Sequence, residues 1–107
     1  MILRWLYHAV LVADDVGDPY EPSSLRSEGF IHASYAPSVA ESVALYFPKD
    51  AAVHVLQIDP RLLRVDLRIE HTPRGPMPHV HGAIPRAAIV RELTLDQLAG
   101  APDAVSG

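Results

Sequence analysis

Four of the six histidines in this 107-residue chain, His8, His32, His79 and His81, lie in short apolar segments that read as strands. Imidazole titrates near neutral pH and serves as general acid, general base or metal ligand. If those segments share a sheet, the rings converge on one cleft. The arrangement centres on Gly29-Phe30-Ile31-His32-Ala33-Ser34, a glycine and two large apolar residues, then a histidine and a serine just before a helix start. For each histidine the plainer alternative is a surface or hydrogen-bonded structural role.

His79-Val80-His81 has i, i+2 spacing, which on a strand points both imidazoles to one face, as two metal ligands would need. A third ligand is required, from Glu70, His71 or His8, and nothing in the sequence fixes its distance; no metal is expected. His32 and Ser34 share the same alternation. A catalytic serine, however, usually sits on a strained Gly-flanked turn, and Ser34 reads instead as a helix cap. The chain has no Gly-rich phosphate loop and no paired-carboxylate motif. Glu70 is the acidic residue beside the histidine-rich loop, either a solvated strand-end carboxylate or part of the site. The candidate catalytic set is His8, His32, Glu70 and His79, and the candidate ligand-binding set is His8, Ser34, His79 and His81.

These residues need a scaffold, and composition bounds it. A chain of this length is one domain. Hydrophobic residues at 49% and charged residues at 21% exclude a disordered chain. No apolar run approaches the ~20 residues of a membrane span. Met1 to Leu6 lacks the apolar core and cleavage site of a signal peptide, so the expected location is cytoplasmic, with no membrane partner. The absence of cysteine excludes thiol chemistry. The net charge of −4 and the scattered arginines are unlike a duplex-binding protein. Recognition of a single phosphate by one or two arginines stays open.

Residues 2–10 alternate, with Leu3, Trp5, Tyr7 and Ala9 on one face and Arg4, Leu6 and His8 on the other, which predicts a first strand. Leu11 to Gly17 suits a short helix with Asp14 and Asp15 exposed. Ser23 to Glu28 reads as a helical turn closed by Gly29, and Phe30 to Ala33 as a second strand. Ser34 to Phe47 is the clearest helix. Pro37 falls in its first turn, Ser38 and Glu41 have capping-box spacing, and Val39, Val43, Tyr46 and Phe47 form its apolar face. Strands are expected over 52–58, 62–70, 79–81 and 87–93. In the second of these Leu63, Val65, Leu67 and Ile69 face inward. His71 to Pro78 reads as a proline-rich loop. Residues 1–98 form the domain, and Ala99 to Gly107 a frayed tail. The fold class is α+β: a small, bent or split, mostly antiparallel sheet with one main helix.

The ordered set Tyr7-His8, Glu28 to Ser34, Leu56 to Pro60, Glu70, Pro78-His79-Val80-His81-Gly82 and Ile84-Pro85 resembles the small bacterial domain-of-unknown-function 952 family. The resemblance covers residues 5–93. That family is similar in fold to the ADP-ribosyltransferases and, further off, the RNA 2′-phosphotransferases. The resemblance implies a split, strongly bent β structure holding NAD in a cleft. It also implies that His8 hydrogen-bonds a ribose hydroxyl and that His32 lines the same cleft. The late Glu-x-Glu or Ser-Thr-Ser element of the transferases is not found, and His81 stands where tyrosine is more common.

The expected function is therefore a histidine-lined cleft for NAD, ADP-ribose or a related nucleotide, with NAD as a possible substrate. Two alternatives stay open. One is a small acid–base enzyme using the same histidines on a non-nucleotide, biosynthetic substrate. The other is a non-catalytic ligand-binding module.

Overall fold

A computed structural model describes residues 3–105. Met1 and Ile2, where the first strand was expected to begin, and Ser106 and Gly107 lie outside them. The fold is α+β and holds two small antiparallel sheets rather than one. The first sheet has the order β1 (Leu6–Leu11), β3 (Val53–Ile58), β6 (Ile89–Leu93). The second has the order β2 (Ile31–His32), β5 (Gly75–His81), β4 (Asp66–Thr72). Two helices, α1 (Ser23–Glu28) and α2 (Ala36–Tyr46), flank β2. No helix among the described residues is long and apolar enough to cross a membrane.

Alternation explains β1. Leu6 faces Ile58 and Val10 faces His54 across the β1–β3 pair, and Leu6 and Val10 enter one apolar cluster with Ile31, Leu56, Val80 and Ile84. Tyr7 points to the opposite side and packs with Val39, Val55 and Leu93. Both faces of the strand are thus buried, and neither is a solvent face. One main-chain bridge joins β1 to the end of β2, and a second joins the loop before α1 to the segment after β5. Tyr7 and Ser34 exchange both main-chain bonds, at 2.8 and 2.7 Å, and Tyr20 and Ile84 do the same at 2.8 and 3.0 Å. Elsewhere the sheets meet through the shared apolar cluster of Leu6, Val10, Leu56, Ile31 and Val80.

Gly29 closes α1 as expected, in the left-handed region with φ 85°. It redirects the chain into β2, where Ile31 is buried and His32 is exposed.

Several expectations need correction. The Leu11 to Gly17 helix is a single 3-10 turn, Val12–Asp14. Asp15 is not exposed: its side chain retains 4% of its surface and accepts from Arg86 Nη1 at 2.6 Å and His54 Nε2 at 2.7 Å. Ser34 caps no helix, because its main chain is engaged by Tyr7 and α2 starts at Ala36 with Tyr35 as N-cap. The Ser38–Glu41 capping box is absent for the same reason. Tyr46 stays exposed at the end of α2. The inward pattern of residues 63–69 ends before Ile69, which is 40% exposed on an outer strand.

The stretch from His71 to Pro78 is a hairpin rather than a loop, since β4 and β5 pair continuously from Asp66–His81 to Thr72–Gly75. Prolines are tolerated because Ala33 N–H donates to Pro78 O, which shows that the polar main-chain groups of Pro78 face β2. Pro76, two residues away, faces the same side, beyond the end of the two-residue β2. No bond to β4 is lost.

The chain after Ala99 is also held, through Val105. Thr94 and Gln97 form a capping box on the 3-10 segment Leu95–Gly100. Tyr7 then donates its hydroxyl to Pro102 O at 2.5 Å, Trp5 N–H donates to Asp103 O at 2.8 Å, and Val105 N–H donates to Leu3 O at 2.8 Å. Arg4 pairs with Asp103 and lies over the Tyr35 ring at 3.8 Å.

Candidate functional site

Beside the Tyr7–Ser34 bridge, a cleft of about 790 Å³ opens along the edge of β1 that β3 leaves unpaired. Its size lies within the usual range for small-molecule sites, ~300–1,000 Å³. His8 and Ala9 come from β1, His32 from β2, and Met77 and His79 from β5. Ser34 follows β2, α2 supplies Val39, Ser42 and Tyr46, and the β4–β5 turn supplies Arg74.

Sheet register brings the second and third histidines together. His32 and His79 are directly opposed across the β2–β5 pair, with ring centroids 5.4 Å apart. Phe30 stacks on His79 at 4.1 Å and fixes its ring plane. The Val80 side of β5 is buried against Ile31, so alternation forces His79 towards the cleft side. Burial, followed by the nearby His32, lowers the pKa of His79 below the ordinary histidine value. His32 donates from Nε2 to Glu28 Oε2 at 2.5 Å, which leaves Nδ1 as an acceptor in the neutral ring.

His8 is placed differently. The carbonyl of His32 can only accept, so His8 Nδ1 carries the proton and donates at 2.6 Å. His8 Nε2 then accepts from the Tyr20 hydroxyl at 2.8 Å. Burial pushes the His8 pKa down to about 4, so the ring is neutral at pH 7. Both nitrogens already have protein partners. His8 can serve as a rigid part of the cleft wall, and a ribose hydroxyl would have to displace Tyr20.

The other candidates divide. Ser34 lines the cleft, 5% exposed, and shares a hydrogen bond with Ser42 Oγ at 2.9 Å. Glu70 lies opposite Met77 on the outer strand β4, exposed to solvent, and is not among the cleft residues. His81 is likewise outside the cleft. Its ring lies 5.5 Å from Phe30, and its Nε2 is buried without a partner. The i, i+2 pair is therefore split, with His79 in the cleft and His81 beyond it.

Three contributors were missed in the sequence. Arg74 donates from Nη2 to Ser42 Oγ at 2.8 Å and from Nε to Glu41 Oε1 at 2.5 Å. Ser42 is 9% exposed on the cleft side of α2. Glu28 holds His32. The i, i+4 spacing of Glu28 and His32 was visible, but Arg74 was hidden in a segment read as a loop.

A separate cluster, Asp15, His54 and Glu92, has ligand atoms within 4.8 Å of one another. Arg86 donates to Asp15, and its backbone N–H donates to Asp18 Oδ1, so these contacts tie the loop after β1 to the 3-10 turn Arg86–Ala88 that precedes β6.

The crystal structure of protein CC0527 from Caulobacter crescentus has a TM-score of 0.76 with this chain, at 22% identity, covering 89% of this chain and 98% of that one. A double mutant of that protein gives 0.76 at 21% identity with the same coverage. At this identity the likeness shows the fold alone. No curated protein matches. Residues 11–92 match the family described as "Protein of unknown function (DUF952)", most of the chain, and the chain belongs to that family.

Proposed function

We propose that the cleft binds a nucleotide-like small molecule of the class of NAD or ADP-ribose, in an ADP-ribosyltransferase-like arrangement of two sheets. The observation that carries the reading is the meeting of His32, His79 and His8 with Arg74 in one cleft that Tyr46 and Phe47 also line. A guanidinium suits phosphate, aromatic surface suits a base, and imidazoles suit ribose hydroxyls. The role that the family resemblance gave to His8 passes here to His32 and His79, whose rings are not both-ends bonded. His8 and Tyr20 hold the floor, and no metal is invoked.

Calorimetric titration of NAD and ADP-ribose into the protein tests this reading. Binding is expected, and it is expected to weaken in His32→Ala and His79→Ala while each variant keeps its fold. Absence of binding at millimolar ligand would refute it.

A second reading, a small acid–base enzyme on a non-nucleotide substrate, is favoured by one observation. Glu28 orients His32 beside a His79 whose pKa is lowered. A base of that kind contributes roughly 10²–10⁴-fold to a proton transfer. Binding of nucleotides with no dependence on His32 or His79 would count against both readings.

A further inference from the structure

We propose that Ser34, Ser42 and Arg74 form a phosphate subsite in the cleft wall, and that the protein's own Glu41 carboxylate masks it. The inference rests on the cleft being a ligand site, and it narrows the ligand to a phosphate ester or diphosphate.

The subsite is built from rigid parts. Arg74 stands on the β4–β5 turn, where Thr72 Oγ1 accepts from Arg74 N–H at 3.1 Å and donates to Gly75 O at 2.8 Å. Gly75 has φ 96°, a conformation that the turn needs and that side-chain-bearing residues rarely adopt. The guanidinium is thus fixed at its root by the turn and at its tip by Ser42. Ser42 and Ser34 are both buried, and a single hydrogen bond of 2.9 Å joins their hydroxyls. Two hydroxyls carry two protons and that bond uses one, so the pair retains one O–H donor. Guanidinium and hydroxyl donors side by side match the several acceptor oxygens of a phosphate.

Glu41 competes for the Nε edge of that guanidinium from outside the cleft. It lies on α2 outside the cleft lining, with its side chain 60% exposed, and holds Arg74 through Nε. An ion pair this exposed is weak. A phosphate carries more charge than a carboxylate and can accept from Arg74 and the serine pair together. It would displace Glu41 and leave the rest of the wall unchanged. The opposite end of the cleft carries Glu28, already bonded to His32, and repels an anion. The polarity of the cleft therefore sets one orientation, with the phosphates at Arg74 and the remainder towards the histidines.

The test is calorimetry on the full chain with pyrophosphate, ADP-ribose and adenosine, using wild type, Glu41→Gln and Arg74→Ala. Glu41→Gln removes the competing charge and is expected to tighten pyrophosphate up to about fivefold, the scale of an exposed ion pair. Arg74→Ala is expected to weaken pyrophosphate at least about tenfold. Adenosine should respond to neither variant. If Arg74→Ala does not fold by circular dichroism, Arg74→Lys replaces it: it keeps the charge, loses the fork, and should still weaken binding. Pyrophosphate that fails to bind all forms, or that binds them equally, overturns the proposal. So does weaker binding by Glu41→Gln. If pyrophosphate follows the expected pattern and ADP-ribose does not bind, the subsite stands and the nucleotide reading fails. If ADP-ribose binds wild type and variants equally, the subsite fails and the nucleotide reading stands.

Discussion

Replacing His8 by glutamine isolates the contribution of one buried imidazole to the pH dependence of stability. Glutamine keeps an N–H for His32 O and an acceptor for the Tyr20 hydroxyl, but it does not titrate. The folded His8 pKa is about 4, below the ordinary value of 6.5. As pH falls, the unfolded chain takes up this proton first, so protonation favours unfolding. The stability associated with neutral His8 is fully present above about pH 6.5 and is lost progressively down to about pH 4. Linkage between about pH 7 and about pH 4.5 gives about 2 kcal/mol for such a site. Part of the ring faces the cleft, and screening there reduces the expected effect to about 1–2 kcal/mol. Urea unfolding of wild type and His8→Gln at the two pH values measures it. Wild type should lose about 1–2 kcal/mol more than the variant on acidification. His79, also lowered, contributes equally to both proteins and cancels. Equal losses in the two proteins would refute the assignment of His8 as a neutral, doubly bonded wall residue.

Other perturbations test the frame. Tyr7→Phe removes the hydroxyl bond to Pro102 O and should cost about 0.5–1.5 kcal/mol; amide exchange at Val105 should quicken, since its bond to Leu3 closes the same segment. Asp15→Ala strips the acceptor from both Arg86 and His54 and should cost about 1–3 kcal/mol in denaturant unfolding, without changing ligand affinity. Gly82→Ala places a Cβ 2.3 Å from Val65 Cγ1 and 2.7 Å from its Cβ, and should destabilise by about 1–3 kcal/mol, read as a lower urea midpoint.

The site was legible in the sequence wherever two-residue alternation met a buried neighbour. Ile31 and Val80 are buried, so His32 and His79 had to point the other way, and the register then opposed them. Gly29 signalled its own turn. Proline content concealed the β4–β5 hairpin, because a local rule cannot see that the main-chain groups of Pro78 face the short side of the sheet. Arg74 was concealed with it. Ser34 carried the right local signal for a cap, but the long-range bridge to Tyr7 took precedence. Asp15 looked exposed because its partners, Arg86 and His54, are distant in sequence. The small, polar composition after Ala99 suggested fraying, while Tyr7, Trp5 and Arg4 at the other end of the chain supply the contacts that hold it.

The most direct measurement is a two-dimensional amide spectrum of the isotope-labelled chain during titration with ADP-ribose. Saturable shifts are expected at His32, Ser34, Ser42, Arg74 and His79, with little change in the Ala40 to Leu98 groove on the other side of α2. No shifts at millimolar ligand, or shifts confined to that second groove, would contradict a nucleotide site in the histidine cleft.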